Sequence, residues 1–214
     1  MELNKYIDST NLNQTSTIRD IEKLCDDAIK YHFRSVCVYP YYVNLAHELL
    51  KDSDVDVCTV VGFPMGMNTT STKSYEAIEA VNDGADEIDM VINIAALKNG
   101  DFEYVKDEIE EIRDSIDGKI LKVIIETCYL TDEEIEKMTK ICNETFVNYI
   151  KTSTGFGTRG ADVHDIEIIN KNKNDLLEVK ASGGIKTLDQ VNKYIDLGVT
   201  RIGTSHAVDI MNEK

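Results

Sequence analysis

Eight short runs rich in β-branched residues alternate with helix-patterned segments from one end of the chain to the other, and few folds accept that rhythm. The runs lie at Tyr6–Ser9, Ser35–Tyr39, Val57–Val61, Glu87–Ile92, Leu121–Glu126, Val147–Thr152, Leu177–Ser182 and Thr200–Thr204. Between them, Phe102, Val105, Ile109, Ile112 and Ile116 recur at spacings of three and four, which makes one apolar helical stripe. Thr131 with Glu134, and Thr187 with Gln190, match the spacing at which two side chains reciprocally satisfy the free backbone donors of a helix start. Gly84, Gly118 and Gly198 fall where helices should stop. Eight strand–helix units in 214 residues predict an α/β chain folded as one (β/α)8 TIM barrel over residues 1–214. A doubly wound open sheet is the alternative. In both, ligands bind at the carboxyl ends of the strands, so chemistry is to be sought there.

Charge narrows the partners. Lysine and arginine number 23 against 39 acidic residues, a formal net charge of −16. Such a surface repels nucleic-acid backbones and anionic lipid, so neither is an expected partner. An anionic substrate would need local backbone donors or a local positive charge. No apolar run approaches a membrane span, and the first ten residues lack the core of a signal peptide. The five cysteines have no C-x-x-C spacing, which fits a reducing, cytoplasmic setting without disulfides. Cys37 and Cys128 read as small core fillers. The four histidines show no metal-ligand spacing, and no phosphate-binding glycine motif follows the first strand, so neither a metal nor a nucleotide cofactor is expected.

Two strand ends share one pattern. Lys151-Thr152-Ser153-Thr154-Gly155 and Lys180-Ala181-Ser182-Gly183-Gly184 both read Lys-x-Ser-x-Gly after an apolar stretch. Neighbouring strands would bring the two ammonium groups together, and like charges in a partly dry site disfavour protonation. A neutral lysine amine attacks carbonyls, and the imine it forms withdraws electrons from a neighbouring carbanion. Asp89 interrupts an apolar strand; by alternation it shares a face with Glu87 and Val91, opposite Ile88, Met90 and Ile92. A carboxylate there needs a partner, which the lysines could supply, and it could carry protons or serve only as their counter-ion. Asp8 and Glu126 invite the same two readings. Gly155, Gly183, Gly184 and the run Gly203-Thr204-Ser205 offer bare backbone amides for an oxyanion.

The same residues resemble a known family, the deoxyribose-phosphate aldolases. The similarity runs from Tyr6-Ile7-Asp8 through Val61-Gly62-Phe63-Pro64 to Arg201-Ile202-Gly203, and its most specific pieces are Asp86–Asn93, Lys151–Phe156 and Val179–Gly184. The resemblance implies a metal-free, class I Schiff-base lyase on a (β/α)8 barrel, without cofactor. Its substrate would be 2-deoxy-D-ribose 5-phosphate, cleaved to acetaldehyde and D-glyceraldehyde 3-phosphate in deoxyribonucleotide and carbohydrate breakdown. By motif, Lys151 would be the Schiff-base lysine, Lys180 its tuning cation and Asp89 the proton carrier. Asp8 and Thr10 would support Lys180, and Gly155, Gly183, Gly184 and Ser205 would contact phosphate. The family's frequent dimers leave a homodimer open as the assembly. The chain departs from the pattern at Ser9, at Arg159 (where a glycine is usual, close to the proposed phosphate site), at His206 (beside Ser205), and after Lys214, where a terminal tyrosine would be expected.

Overall fold

The computed structural model describes residues 2–213; Lys214, after which the family pattern leads one to expect a tyrosine, lies outside them. Strands and helices follow one another as β1 (Ile7–Asn11), α1 (Ile18–Tyr31), β2 (Ser35–Val38), α2 (Val43–Leu50), β3 (Asp56–Val61), α3 (Thr70–Asn82), β4 (Glu87–Val91) and the short α4 (Ile94–Lys98). They continue as α5 (Phe102–Ser115), β5 (Ile120–Ile124), α6 (Asp132–Glu144), β6 (Tyr149–Lys151), α7 (Val163–Asn172), β7 (Glu178–Ser182), α8 (Leu188–Asp196), β8 (Arg201–Thr204) and α9 (Ala207–Asn212). All eight strands pair in parallel and in chain order, and β8 closes on β1. This is the (β/α)8 barrel. Among the described residues no helix is long and apolar enough to cross a membrane.

Local chemistry sets the boundaries. The stripe on α5 buries Val105, Ile109 and Ile112. At the start of α6 the Thr131 hydroxyl accepts from the Glu134 amide at 3.3 Å, and the Thr131 amide donates to Glu134 Oε2 at 2.8 Å. Thr187 and Gln190 do the same for α8, and Thr17 with Asp20 forms a third such pair at α1. The fifth and sixth strands are shorter than the apolar runs predict, ending at Ile124 and Lys151. Glu126 adopts the left-handed conformation at φ 51°, which turns the chain out of the sheet.

Alternation along the strands sorts side chains into two cores. Ile88, Met90, Leu121, Val123, Ile150 and Val179 point outward and pack beneath the helices. Inward, the lumen holds a small apolar group of Leu12, Cys37, Cys58 and Val60, and otherwise charge: Asp8, Glu87, Asp89, Lys122, Lys180 and Arg201 are all buried. Most barrels fill that space with branched aliphatics. Thr131→Ala should lower stability by about 1 kcal/mol through loss of the cap on α6, read as a shift in the urea midpoint; an unchanged midpoint would show that the cap carries no stability.

Candidate active site

Strand register builds the site. Asp89 on β4 lies level with Lys122 on β5; Lys151 on β6 lies level with Lys180 on β7, which in turn lies level with Arg201 on β8. Because these side chains all point into the lumen, the three lysines converge on the Asp89 carboxylate. Lys151 Nζ donates to Asp89 Oδ2 at 2.8 Å and Lys180 Nζ to the same oxygen at 2.7 Å. Lys122 Nζ donates to Oδ1 at 2.6 Å, and the Cys58 thiol approaches that oxygen at 3.2 Å. Lys122 also meets Glu87 at 2.6 Å, and Lys180 meets Asp8 at 2.6 Å. Arg201 bridges Asp8 and Glu87, reaching Glu87 Oε1 at 2.6 Å.

The sequence predicts that the paired lysines repel one another. The structure places Asp89, the acid for which the sequence offered these lysines as partners, between the two, so both ammonium groups bond a single carboxylate oxygen. Burial opposes the charges of Asp8, Asp89, Lys122 and Lys180, yet the opposite charges win. Burial pushes the Asp89 carboxyl up, but Lys122, Lys151 and Lys180 hold it well below the usual carboxylate range. Asp8 is likewise lowered by Lys180 and Arg201 against its burial. Lys180 is raised, as Asp8 and Asp89 outweigh its desolvation, and Lys122 is raised well above an ordinary lysine by Asp89, Cys58 and Glu87.

The charges do not cancel. Lys122, Lys151, Lys180 and Arg201 face Asp8, Glu87 and Asp89, four cations against three carboxylates, and Arg34, which reaches Glu87 at 4.0 Å, is matched by its own partner Asp56 at 2.7 Å. Lys122, Lys180 and Arg201 each contact two carboxylates, whereas Lys151 contacts Asp89 alone. Lys151 is also the member of the cluster that lines the open cleft above it.

That cleft, about 930 Å³ in volume, sits over the carboxyl ends of β1, β6, β7 and β8. Gly155, Gly183, Gly184 and Ser205 all line it. Gly183 has a φ of 84°, and a β-carbon there would lie 2.9 Å from the Cα of Gly160, so only glycine fits this crossing of two loops. Leu12 and Phe156 give the cleft an apolar flank, with Phe156 edge-on to Phe63 at 5.4 Å between ring centroids. Thr10 lines the cleft and donates its hydroxyl to the Asp8 carbonyl at 3.0 Å; among the described residues it makes no hydrogen bond to Lys180.

Other sequence candidates are placed elsewhere. Glu126 is buried and accepts from the Thr154 amide at 3.2 Å and from its hydroxyl, which clamps the loop after β6 rather than reaching the cleft. Arg159, expected near the phosphate site, is committed to Asp165 through both guanidinium nitrogens and does not line the cleft. His206 does line it, with Nδ1 3.1 Å from the Ser205 hydroxyl. Cys37 is buried in the lumen, whereas Cys128 is partly exposed beside Gly157. Cys37, Cys58 and Asp89 come together closely enough to suggest metal ligands, but a cation there would face the three ammonium groups already on Asp89. Sequence reasoning missed Lys122 and Arg201. The signal was present, since each is a cation at an inward position of an apolar strand, as Asp89 is an acid at one.

With this geometry in view, comparison with known proteins is decisive. The profile of the DeoC/LacD family aldolases matches residues 3–204. The chain belongs to that family. A deoxyribose-phosphate aldolase of Finegoldia magna is 50% identical over 211 residues, covering 99% of each chain. Among solved structures, the aldolase QR15 superposes with a TM-score of 0.95 at 41% identity, covering 99% of this chain and 95% of its own. The deoxyribose phosphate aldolase of Aeropyrum pernix, described as a unique tetramer, superposes at 0.92 with 30% identity, covering 99% and 90%. This family member is therefore an enzyme of the aldolase type.

Lys122→Met should destabilise the protein by about 3–5 kcal/mol at pH 7, because Asp89 and Glu87 each lose a buried partner. A carboxylate with a depressed folded value contributes stability above its unfolded value and loses it as pH falls through the folded value. The difference between variant and wild type should therefore shrink below about pH 4, the ordinary carboxylate range. Denaturant titrations at several pH values measure it; a difference independent of pH would exclude the ion pairs as its source.

Proposed function

We propose that this chain is a deoxyribose-phosphate aldolase that reversibly cleaves 2-deoxy-D-ribose 5-phosphate to acetaldehyde and D-glyceraldehyde 3-phosphate. One observation carries the reading: a buried amine at the floor of an anion-sized cleft shares the carboxylate oxygen of Asp89 with a second, better-paired ammonium. Closely similar proteins bearing the name of this activity support the choice of substrate.

The chemistry follows from the charge count. An interior with one cation in excess becomes neutral by losing one proton, and the ammonium whose loss breaks the fewest ion pairs is Lys151. Its free amine adds to the C1 carbonyl of the open-chain sugar, and loss of water gives an imine. Removal of the proton from the C3 hydroxyl lets the C2–C3 bond break; its electron pair moves into the imine and leaves an enamine on Lys151, while C3 departs as the aldehyde of glyceraldehyde 3-phosphate. Protonation at C2 and hydrolysis of the resulting imine release acetaldehyde and restore the amine. Asp89, bonded to both lysines, is placed to pass protons within this cycle, and Asp8 holds Lys180 in its charged form. At the far end of the cleft, the amides of Gly155, Gly183 and Gly184 and the hydroxyl of Ser205 would receive the phosphate, in the region after the last strands where such barrels commonly hold one. Thr10 lines the same cleft. The imine is itself the electron sink, so no metal or organic cofactor is required. Assembly as a homodimer belongs to the same reading.

Three results test it. A coupled assay should detect glyceraldehyde 3-phosphate released from deoxyribose 5-phosphate, with activity unaffected by a chelator; loss of activity on chelation would point to metal-assisted enolate chemistry. Borohydride with acetaldehyde should trap an adduct on Lys151 that Lys151→Ala abolishes, and an adduct surviving elsewhere refutes the assignment. Lys180→Leu leaves three cations facing three carboxylates, so Lys151 should keep its proton and imine formation should slow at least tenfold, about 1.4 kcal/mol. Undiminished imine formation would separate the two lysines functionally.

A further inference from the structure

Outside the barrel, between α3 and α5, lies a second buried ion pair that the aldol chemistry does not use. Lys73 Nζ meets Glu108 Oε1 at 2.7 Å, with both side chains fully excluded from solvent. Each group also holds backbone at the exit of β4: Lys73 donates to the Val91 carbonyl at 2.8 Å, and Glu108 Oε2 accepts from the Asn93 amide at 3.0 Å. The ladder between β3 and β4 has ended just before, at Val61 and Met90, because β3 turns away at Gly62. Side chains from two helices thus take over where the sheet stops. Gly62 is part of the arrangement. Its amide donates to Glu76 on α3 at 2.8 Å, and a β-carbon at this position would come within 2.8 Å of the Lys73 stem.

A charged pair is an expensive way to satisfy two backbone groups. Burial draws the Lys73 ammonium down and pushes the Glu108 carboxyl up, each partly offset by the other. Buried pairs of this kind frequently add no more stability than apolar residues of equal volume, whereas they do demand one geometry. The geometry demanded here bears on β4, whose inward carboxylate must meet three ammonium groups at once.

We infer that the Lys73–Glu108 pair is a positioning device for Asp89, fixing the backbone at Val91 and Asn93 and with it the height at which the Asp89 carboxylate meets the amine of Lys151. The inference rests on the reading of Lys151 and Asp89 as the reacting amine and its proton carrier. Displacements of about 1 Å in such constellations can slow a reaction about 100-fold without weakening substrate binding.

The test is the variant Lys73→Met/Glu108→Leu, which removes both charges at similar volume, assayed with deoxyribose 5-phosphate well below its unfolding temperature and beside the wild type. The expected result is a kcat reduced ~10- to 100-fold, a KM within about twofold of wild type, and a displaced pH profile of kcat. Loss of folded protein alone would lower the amount of active enzyme without moving the pH profile. If the double variant does not fold, Glu108→Asp serves, since it keeps the charge and draws the carboxylate back by one methylene; the same kcat loss and profile shift are expected. A folded variant with wild-type kcat and pH profile overturns the inference while leaving the aldolase reading intact. A wild type that cleaves nothing overturns both.

Discussion

The carboxylate of Asp89 accepts from three ammonium groups supplied by three different strands, and the rest of the molecule is arranged so that it can. A buried carboxylate without partners would cost several kcal/mol, and so would each buried ammonium. All are satisfied only when β4, β5, β6 and β7 stand in one register. A slip of one residue in β4 would send Asp89 into the helix layer and Ile88 into the lumen. The ionic lumen therefore acts as a register lock and, on the proposed reading, as the reaction centre. Its members come from six strands, with Asp8 on β1 and Arg201 on β8 joining the two ends of the sheet.

The same cluster resolves an apparent conflict between the protein's charge and its substrate. A chain of net charge −16 should repel a sugar phosphate. The acidic residues dominate the surface, yet the interior directly beneath the cleft carries an excess cation, and the rim above presents glycine-rich backbone. Local positive charge in a low-dielectric wall acts more strongly on a bound anion than distant, screened surface carboxylates do. On the proposed reading, anion attraction and amine activation draw on this one imbalance.

Much of this was legible in the sequence. Strand positions followed from β-branched runs, helix starts from Thr131 and Thr187 with their partners, and the two Lys-x-Ser-x-Gly strand ends pointed to Lys151 and Lys180. Asp89 stood out because an acid in an apolar strand demands a partner. What pattern reading could not supply was the full set of pairs. It offered the two lysines as partners for Asp89, but not that both would share one of its oxygens or that Asp8 would hold Lys180 raised. Lys122 and Arg201 escaped notice because a single inward cation resembles a surface residue until its neighbours are known. Arg159 went the other way: adjacent in sequence to the phosphate loops, it turns to Asp165. Lys73 and Glu108, separated by 35 residues, carry no local mark of their contact at all.

The sequence by itself determined the class of fold, because alternating periods of two and 3.6 residues with glycine stops leave little choice other than parallel strands covered by helices. It also determined which residues had chemistry to offer. Only the tertiary structure decided which charges would neutralise which, because ion pairing depends on distances between residues on different strands, and those distances exist only once the barrel closes and fixes its register.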